Sequence, residues 1–132
     1  MSAIDVALRF VDRINARDVD GMVALMSERH RFVDSGGEEH VGRERMRQGW
    51  EQYFRMVPDY RVEVDESFAA GSIVVLLGTA RGTYSRDGTL RPEDAWSTPA
   101  AWRAAISGGC VEEWRVYADN EPIRQRMADG PP

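Results

Sequence analysis

The sequence is poor in the residues that build disulfides and metal centres. It contains one cysteine and two histidines among 132 residues. A single cysteine cannot close an internal disulfide, so a small scaffold held together by disulfides is excluded. Two imidazoles and one thiol cannot supply the usual zinc or iron–sulfur ligand sets, so we expect no metal and no cofactor. Chemistry must come from carboxylate, hydroxyl, guanidinium, indole and imidazole groups.

Positive charge and long apolar runs are also scarce. The 17 Lys and Arg residues are outnumbered by 22 Asp and Glu residues, which gives a formal net charge of −5. An acidic chain of this kind is not expected to bind nucleic acid or an anionic membrane. The longest apolar run, over 73–77, is far shorter than a membrane span. Because Asp5 and Arg9 also interrupt any signal-peptide core, we predict a cytoplasmic protein.

The residues that are present suffice for one folded unit. A chain of 132 residues with 42% hydrophobic residues has the length and the apolar content of one domain. The last three residues are Gly130, Pro131 and Pro132, a composition typical of a frayed end. We therefore predict a single domain over 1–129 and a C-terminal tail over 130–132.

Helical spacing of apolar residues dominates the first half of the chain, and two-residue alternation dominates the second. Helices are predicted over 3–16, after the N-cap Asp18 with a stripe of Met22, Leu25 and Met26, over about 42–56, and after Asn120. Strands are predicted over 30–34, 59–69, 73–84, 95–106 and 110–118. In the last strand Glu113 and Arg115 are expected to face water, opposite Trp114 and Val116.

Helices followed by a run of strands are typical of the α+β class. We expect three N-terminal helices packed on one face of a strongly curved, mostly antiparallel sheet, with a short C-terminal helix. A bent sheet covered by helices encloses a cone whose apolar interior can hold a ligand.

Two segments carry a family resemblance. The string ALRFVDRINARDVDGMVALM at 7–26 resembles the opening helices of the nuclear-transport-factor-two-like superfamily, and GCVEEWRVYAD at 109–119 resembles the closing strand of its SnoaL-like members. The superfamily includes SnoaL-like polyketide cyclases, ketosteroid isomerase, limonene epoxide hydrolase and scytalone dehydratase. The resemblance implies a cystatin-like cone and, in many members, a homodimer through the outer face of the sheet. It does not imply one reaction, because this fold hosts several enzymes and pure binding modules.

Comparison with ketosteroid isomerase places Asp34 at the position of the catalytic aspartate base. Phe10 and Ala100 fall where that enzyme has its two oxyanion donors, and neither a phenyl ring nor a methyl group can donate a hydrogen bond. Ketosteroid isomerisation is therefore not expected. The arginine and aspartate residues of the epoxide hydrolase also have no counterparts. Asp119 is the residue nearest to the aspartate that SnoaL-type cyclases use near the end of the last strand.

Each candidate acid or base also has a structural interpretation. Asp34 could act as acid or base beside Phe32, where burial would raise its pKa, or it could cap the turn at 35–37. His40 could approach Asp34 if 38–41 folds back as a hairpin. His30 lies about 13 Å from Asp34 along an extended strand, too far for a direct hydrogen bond. Asp119 could instead cap the final helix.

Aromatic residues supply the candidate ligand-binding surface. Several tryptophans around one cavity would suit a flat, polycyclic or aromatic ligand, although the same side chains could simply fill the core. The candidate ligand-binding residues are Phe10, His30, Phe32, Trp50, Tyr53, Trp102, Trp114 and Val116. Arg43, Arg45 and Arg47 are interpreted as a solvated helix face.

Three functions remain compatible with these residues. The first is a cofactor-independent enzyme of isomerase, cyclase or dehydratase type, with Asp34 as acid/base and a hydrophobic, aromatic or polyketide-like ligand. The second is a binding module that uses the same pocket without turnover. The third is a protein-interaction module that acts through the outer face of the sheet, with its cone filled by its own tryptophans.

Overall fold

In the computed structural model of the chain, which describes residues 1–128, four α-helices pack with one six-stranded sheet. The helices are α1 (Ala3–Asn15), α2 (Val19–Leu25), α3 (Arg43–Met56) and α4 (Glu121–Ala128), and the strands are β1 (Met26–Val33), β2 (Glu39–Val41), β3 (Arg61–Ala70), β4 (Ile73–Thr83), β5 (Ala95–Ser107) and β6 (Cys110–Ala118). The α+β class and the three N-terminal helices are confirmed. The predicted tail and residue 129 lie outside the described residues. No helix in this part of the chain is long and apolar enough to cross a membrane.

The strand order is β2-β1-β6-β5-β4-β3. Strands β3 to β6 form the antiparallel meander that the alternation predicted. Strand β1 pairs in parallel with β6, which places Phe32 opposite Trp114. Met26 was wrongly expected on the second helix. It opens β1 instead, because its backbone pairs with Val111 of β6.

Helix α1 packs against strands β3 to β6 on the concave face of the sheet. Its N terminus is closed by a capping box, in which the Ser2 hydroxyl accepts from the Asp5 backbone and the Asp5 carboxylate accepts from the Ser2 backbone. Its buried face includes Phe10 and Ile14. The Phe10 ring lies 4.8 Å from the Trp114 ring, centroid to centroid, so the helix and β6 share one core.

The convex face carries a buried carboxylate. Glu113 was expected to face water, and this was wrong, since only 6% of the residue is exposed. Arg31 of β1 donates through Nε to its Oε2 at 2.8 Å, and Arg103 of β5 donates to its Oε1. The two guanidinium groups cover Glu113 from the neighbouring strands and satisfy both of its oxygens.

A bulge bends the β3–β4 pair. Val64 pairs with Gly78 and Glu66 with Leu77, which leaves Asp65 without an opposite residue. A Cβ atom added at Gly78 would lie 1.8 Å from the backbone oxygen of Glu63. The missing side chain at Gly78 therefore lets β3 approach closely, and the bend contributes to the concave shape.

We expect Gly78→Ala to lower the free energy of unfolding by about 2 kcal/mol, because the added methyl must displace backbone rather than a flexible side chain. Gly49→Ala is the control, since its Cβ would meet only the terminal methyl of Met46 at 3.7 Å. That variant should match the parent or exceed it by about 1 kcal/mol. Urea unfolding of both variants measures the difference, and equal stabilities would refute the close approach.

Candidate functional site

The concave face leaves a cavity of about 440 Å³ at its exposed end. This volume lies within the range of about 300–1,000 Å³ that is typical of small-molecule sites. Most of its wall is apolar and comes from β1, α3, β5, β6 and α4, with Tyr60 from the segment before β3. Polar side chains gather at one edge: Asp34, Ser35, His40, Arg45, Asp119 and Asn120.

Aromatic rings form a continuous wall around the Trp50 indole. Phe32 lies 5.8 Å from Trp50 in an edge-on arrangement, and Tyr53 lies 6.2 Å from it on the same helix, between ring centroids. Tyr60 lies 6.2 Å from Trp96 and continues the wall toward β5. Such a wall favours flat ligands, because ring faces and edges meet at these separations.

Asp34 stands where β1 ends and the chain turns into β2. Its Oδ1 accepts hydrogen bonds from the backbone N–H groups of Gly36 at 2.9 Å and Glu38 at 3.0 Å. Its Oδ2 lies 3.2 Å from Nε2 of His40. The turn-capping interpretation therefore holds, and the same carboxylate lies at the cavity edge.

The β1–β2 hairpin brings His40 to Asp34. His40 pairs with Phe32 across the two strands, as expected if 38–41 folds back. Arg45 Nη2 lies 3.2 Å from Nδ1 of His40. A guanidinium group can only donate, so Nδ1 accepts, and the imidazole proton resides on Nε2 and is donated to Asp34.

The environment keeps Asp34 ionised. Burial alone would raise the pKa of the Asp34 carboxyl, but hydrogen bonds from His40, Glu38 and Gly36 outweigh it and hold the pKa below its ordinary value. The expected upward shift was therefore wrong. At neutral pH the group is a carboxylate, so it enters any reaction as a base rather than as an acid.

Asp119 and Asn120 close the edge from the other side. Asp119 is exposed, and its Oδ1 accepts from the backbone N–H of Glu121 at 2.9 Å, which supports the helix-capping interpretation. Asn120 donates through its amide to the hydroxyl of Ser35. The turn that carries Asp34 is thereby tied to the start of α4.

Four candidate ligand-binding residues are packed in the core instead of lining the cavity: Phe10, His30, Trp102 and Trp114. Nδ1 of His30 lies 2.7 Å from the Val111 carbonyl and donates to it. Burial lowers the pKa of His30, and that hydrogen bond offsets the effect only in part. These side chains are covered by the core that includes α1 and do not line this cavity. Their role in ligand binding stays a prediction.

Comparison with known proteins identifies the family. The model of the SnoaL-like domain matches residues 7–121. The chain belongs to this family. No curated protein matches the SnoaL-like chain significantly.

Solved structures share the fold of this SnoaL-like domain. A candidate SnoaL-like polyketide cyclase from Shewanella denitrificans has a TM-score of 0.82 at 12% identity, covering 97% of this chain and 98% of that one. A protein with a ketosteroid isomerase-like fold from Catenulispora acidiphila, in complex with trimethylamine, has a TM-score of 0.79 at 16% identity, with 96% and 97% covered. An uncharacterised cystatin-fold protein from Novosphingobium aromaticivorans has a TM-score of 0.70 at 21% identity. The match covers 88% of this chain and 97% of that one. At these identities the likeness establishes the cystatin-like fold alone.

Among the residues that line the SnoaL-like cavity, sequence reasoning missed Arg45, Tyr60 and Trp96 in particular. Arg45 was interpreted as part of a solvated face, but it reaches both His40 and the cavity edge. Tyr60 and Trp96 line the wall and had not been named as candidates. A signal existed for Arg45, because it stands one turn before Gly49 on the flank of the apolar stripe of α3.

Within residues 1–128, one group of side chains has the spacing of cation ligands. Asp34, Glu38 and His40 place ligand atoms within 4.8 Å of one another. Both nitrogens of His40 and both oxygens of Asp34 already have hydrogen-bonding partners. A cation would have to displace these partners and approach the Arg45 guanidinium, so the arrangement suits a carboxylate base better than a metal centre.

We expect His40→Phe to raise the pKa of Asp34 in this SnoaL-like domain, because the strongest hydrogen bond that lowers it is lost while burial remains. Phenylalanine keeps the ring beside Phe32. Titration of the Asp34 carboxyl by carbon NMR measures the change. Glu38→Gln keeps the backbone donor to Asp34 and should leave the pKa low, and an unchanged value in His40→Phe would contradict the assigned hydrogen bond.

Proposed function

We propose that this SnoaL-like protein is a cofactor-independent enzyme of isomerase, cyclase or dehydratase type. It acts on a hydrophobic, aromatic or polyketide-like ligand held in the cavity, and Asp34 moves the proton. The observation that carries the proposal is an ionised carboxylate at the edge of an apolar, aromatic-walled cavity. A cavity of about 440 Å³ also disfavours a cone filled by its own tryptophans.

Proton transfer follows from the arrangement of Asp34. The carboxylate takes a proton from an acidic C–H of the ligand, and the electron pair of that bond is delocalised into the ligand. The neutral carboxylic acid then returns the proton to another carbon or to a leaving oxygen. His40 and the backbone N–H groups of Gly36 and Glu38 orient the carboxylate throughout. The apolar wall keeps water away from the charged intermediate.

Deuterium exchange into 6-methoxy-2-tetralone tests the acid/base assignment without knowledge of the natural substrate. The ketone is flat and largely apolar, it has acidic C–H groups next to its carbonyl, and its methoxy oxygen lies at the far end of the ring system. The wild-type protein should accelerate exchange in D₂O above the buffer rate, as followed by proton NMR. Asp34→Asn should reduce the protein-dependent rate by about 100-fold or more, in the range of general base catalysis.

The control for this test is Asp119→Asn, which changes a second carboxylate at the cavity edge. It should retain most of the exchange rate, because Asp119 is exposed and engaged with the start of α4. Binding of 6-methoxy-2-tetralone should survive in Asp34→Asn. An exchange rate that is the same in Asp34→Asn and the wild type would remove the mechanism, and binding with no exchange in the wild type would favour a binding module.

We further propose a homodimer formed through the outer face of the sheet. Phe68 is 54% exposed and Tyr117 49% exposed on this face, and Val75, Leu77 and Ala101 lie between them with partial exposure. An apolar stripe across the outer face of the sheet suits a second copy of the same surface.

Leu77→Glu should convert the dimer into a monomer, because it places a charge in the middle of the apolar stripe. Light scattering coupled to size-exclusion chromatography measures the mass. Leu90→Glu is the matched control, since Leu90 is 47% exposed in the loop between β4 and β5. A monomeric wild type, or an equal effect of both variants, would refute the interface.

A further inference from the structure

Two tyrosines from different elements meet in the wall of the cavity. Tyr53 lies on α3 and Tyr60 lies just before β3, and both line the cavity. Their rings are 5.0 Å apart between centroids and nearly perpendicular, at 89°. Tyr60 is only 6% exposed. The pair therefore places two phenol groups next to each other in a largely apolar surface.

Neither hydroxyl has a protein partner within residues 1–128. Burial raises the pKa of Tyr60, and burial together with the nearby Tyr60 raises the pKa of Tyr53, with no opposing hydrogen bond. The indole nitrogens of Trp50 and Trp96 are sealed from solvent and unpaired, whereas neither tyrosine oxygen is sealed in this way. Both hydroxyls thus stay neutral donors that keep contact with open space. A ligand that covers these donors without offering an acceptor leaves them unpaired at a cost in free energy, whereas a ligand with an acceptor oxygen avoids that cost.

The backbone around Tyr60 is held in place by α1 and the loop after it. Arg17 donates through Nη1 to the Tyr60 carbonyl at 3.0 Å, and the Tyr60 N–H donates to the Val57 carbonyl at 3.1 Å. The Asn15 side chain bonds to both the N–H and the carbonyl of Val62, each at 2.9 Å. The position of the Tyr60 ring is therefore set before any ligand arrives.

The tyrosine pair and Asp34 belong to opposite sides of the concave face. Asp34 follows β1 near one edge of the sheet, and Tyr60 precedes β3 at the other edge. The Trp50 ring lies between them, 5.8 Å from Phe32 and 6.4 Å from Tyr60 between centroids. A flat ligand that lies along this wall would present one end to Asp34 and the other to the tyrosines.

We propose that the hydroxyls of Tyr60 and Tyr53 form a subsite that donates hydrogen bonds to an oxygen at the end of the ligand opposite Asp34. The substrate class is then a flat carbocyclic compound with a ketone or similar acceptor oxygen at that end. This rests on the proposed function only in that both use the same cavity. A hydrocarbon of the same shape leaves both hydroxyls unpaired, so the subsite selects for the oxygen.

Binding of a matched ligand pair tests the subsite. 2-Tetralone and tetralin share one carbon skeleton, and only the first has an acceptor oxygen. In Tyr60→Phe the dissociation constant for 2-tetralone should rise about 3- to 10-fold, the usual worth of one neutral hydrogen bond. The constant for tetralin should stay within about twofold, because the ring remains. Isothermal titration calorimetry measures both, and Tyr53→Phe combined with Tyr60→Phe should remove the remaining discrimination.

Tyr117→Phe is the matched control, because it removes a phenol hydroxyl from the exposed outer face. It should change neither dissociation constant. Parallel weakening of both ligands in Tyr60→Phe, an unchanged constant for 2-tetralone, or a wild type that binds neither ligand would overturn the subsite. Asp34→Asn should keep the Tyr60-dependent discrimination. Discrimination in a wild type that catalyses no exchange would uphold the subsite and reject the acid/base role.

Discussion

The parallel pairing of β1 with β6 is the constraint on which the rest of the structure depends. It joins the helical first half of the chain to the meander of the second half and sets Phe32 opposite Trp114. From that register the chain continues into Asp34 on one strand and Val116 on the other, and both reach the cavity. Strand β2, which forms a hairpin with β1, and helix α3 follow β1 in the chain. The positions of His40 and Trp50 therefore also depend on this pairing.

Local patterns anticipated the elements well, and long-range pairing accounts for most of what they missed. Helix α3 and the meander followed from spacing and alternation, because each is stabilised along its own segment. The start of β1 at Met26 depends on a partner 85 positions away in the chain, which no local pattern contains. The burial of Glu113 has the same origin, since Arg31 and Arg103 cover it from other strands.

The candidate site shows the same division. Asp34 and His40 could be named from the turn and the possible hairpin that separates them. The direction of the Asp34 pKa shift could not be predicted from the sequence, because it depends on the balance between burial and three hydrogen bonds. The burial of four candidates in the core could not be predicted from the sequence, because it depends on how α1 packs against the sheet. Arg45 is exposed, as expected of a solvated face, and its side chain also reaches His40 on a neighbouring strand.

The clamp of Arg31, Glu113 and Arg103 has a consequence for how this domain can change over evolution. It sits on the convex face, yet Arg31 and Glu113 stand directly opposite each other in the β1–β6 register, one residue before Phe32 and Trp114. Sequence change at Arg31 and Glu113 on the convex face is therefore constrained, because the same register positions Phe32 and Trp114 on the concave face. New ligand specificities can arise by exchanging the cavity wall, whereas this ionic triad must be inherited or replaced as a unit.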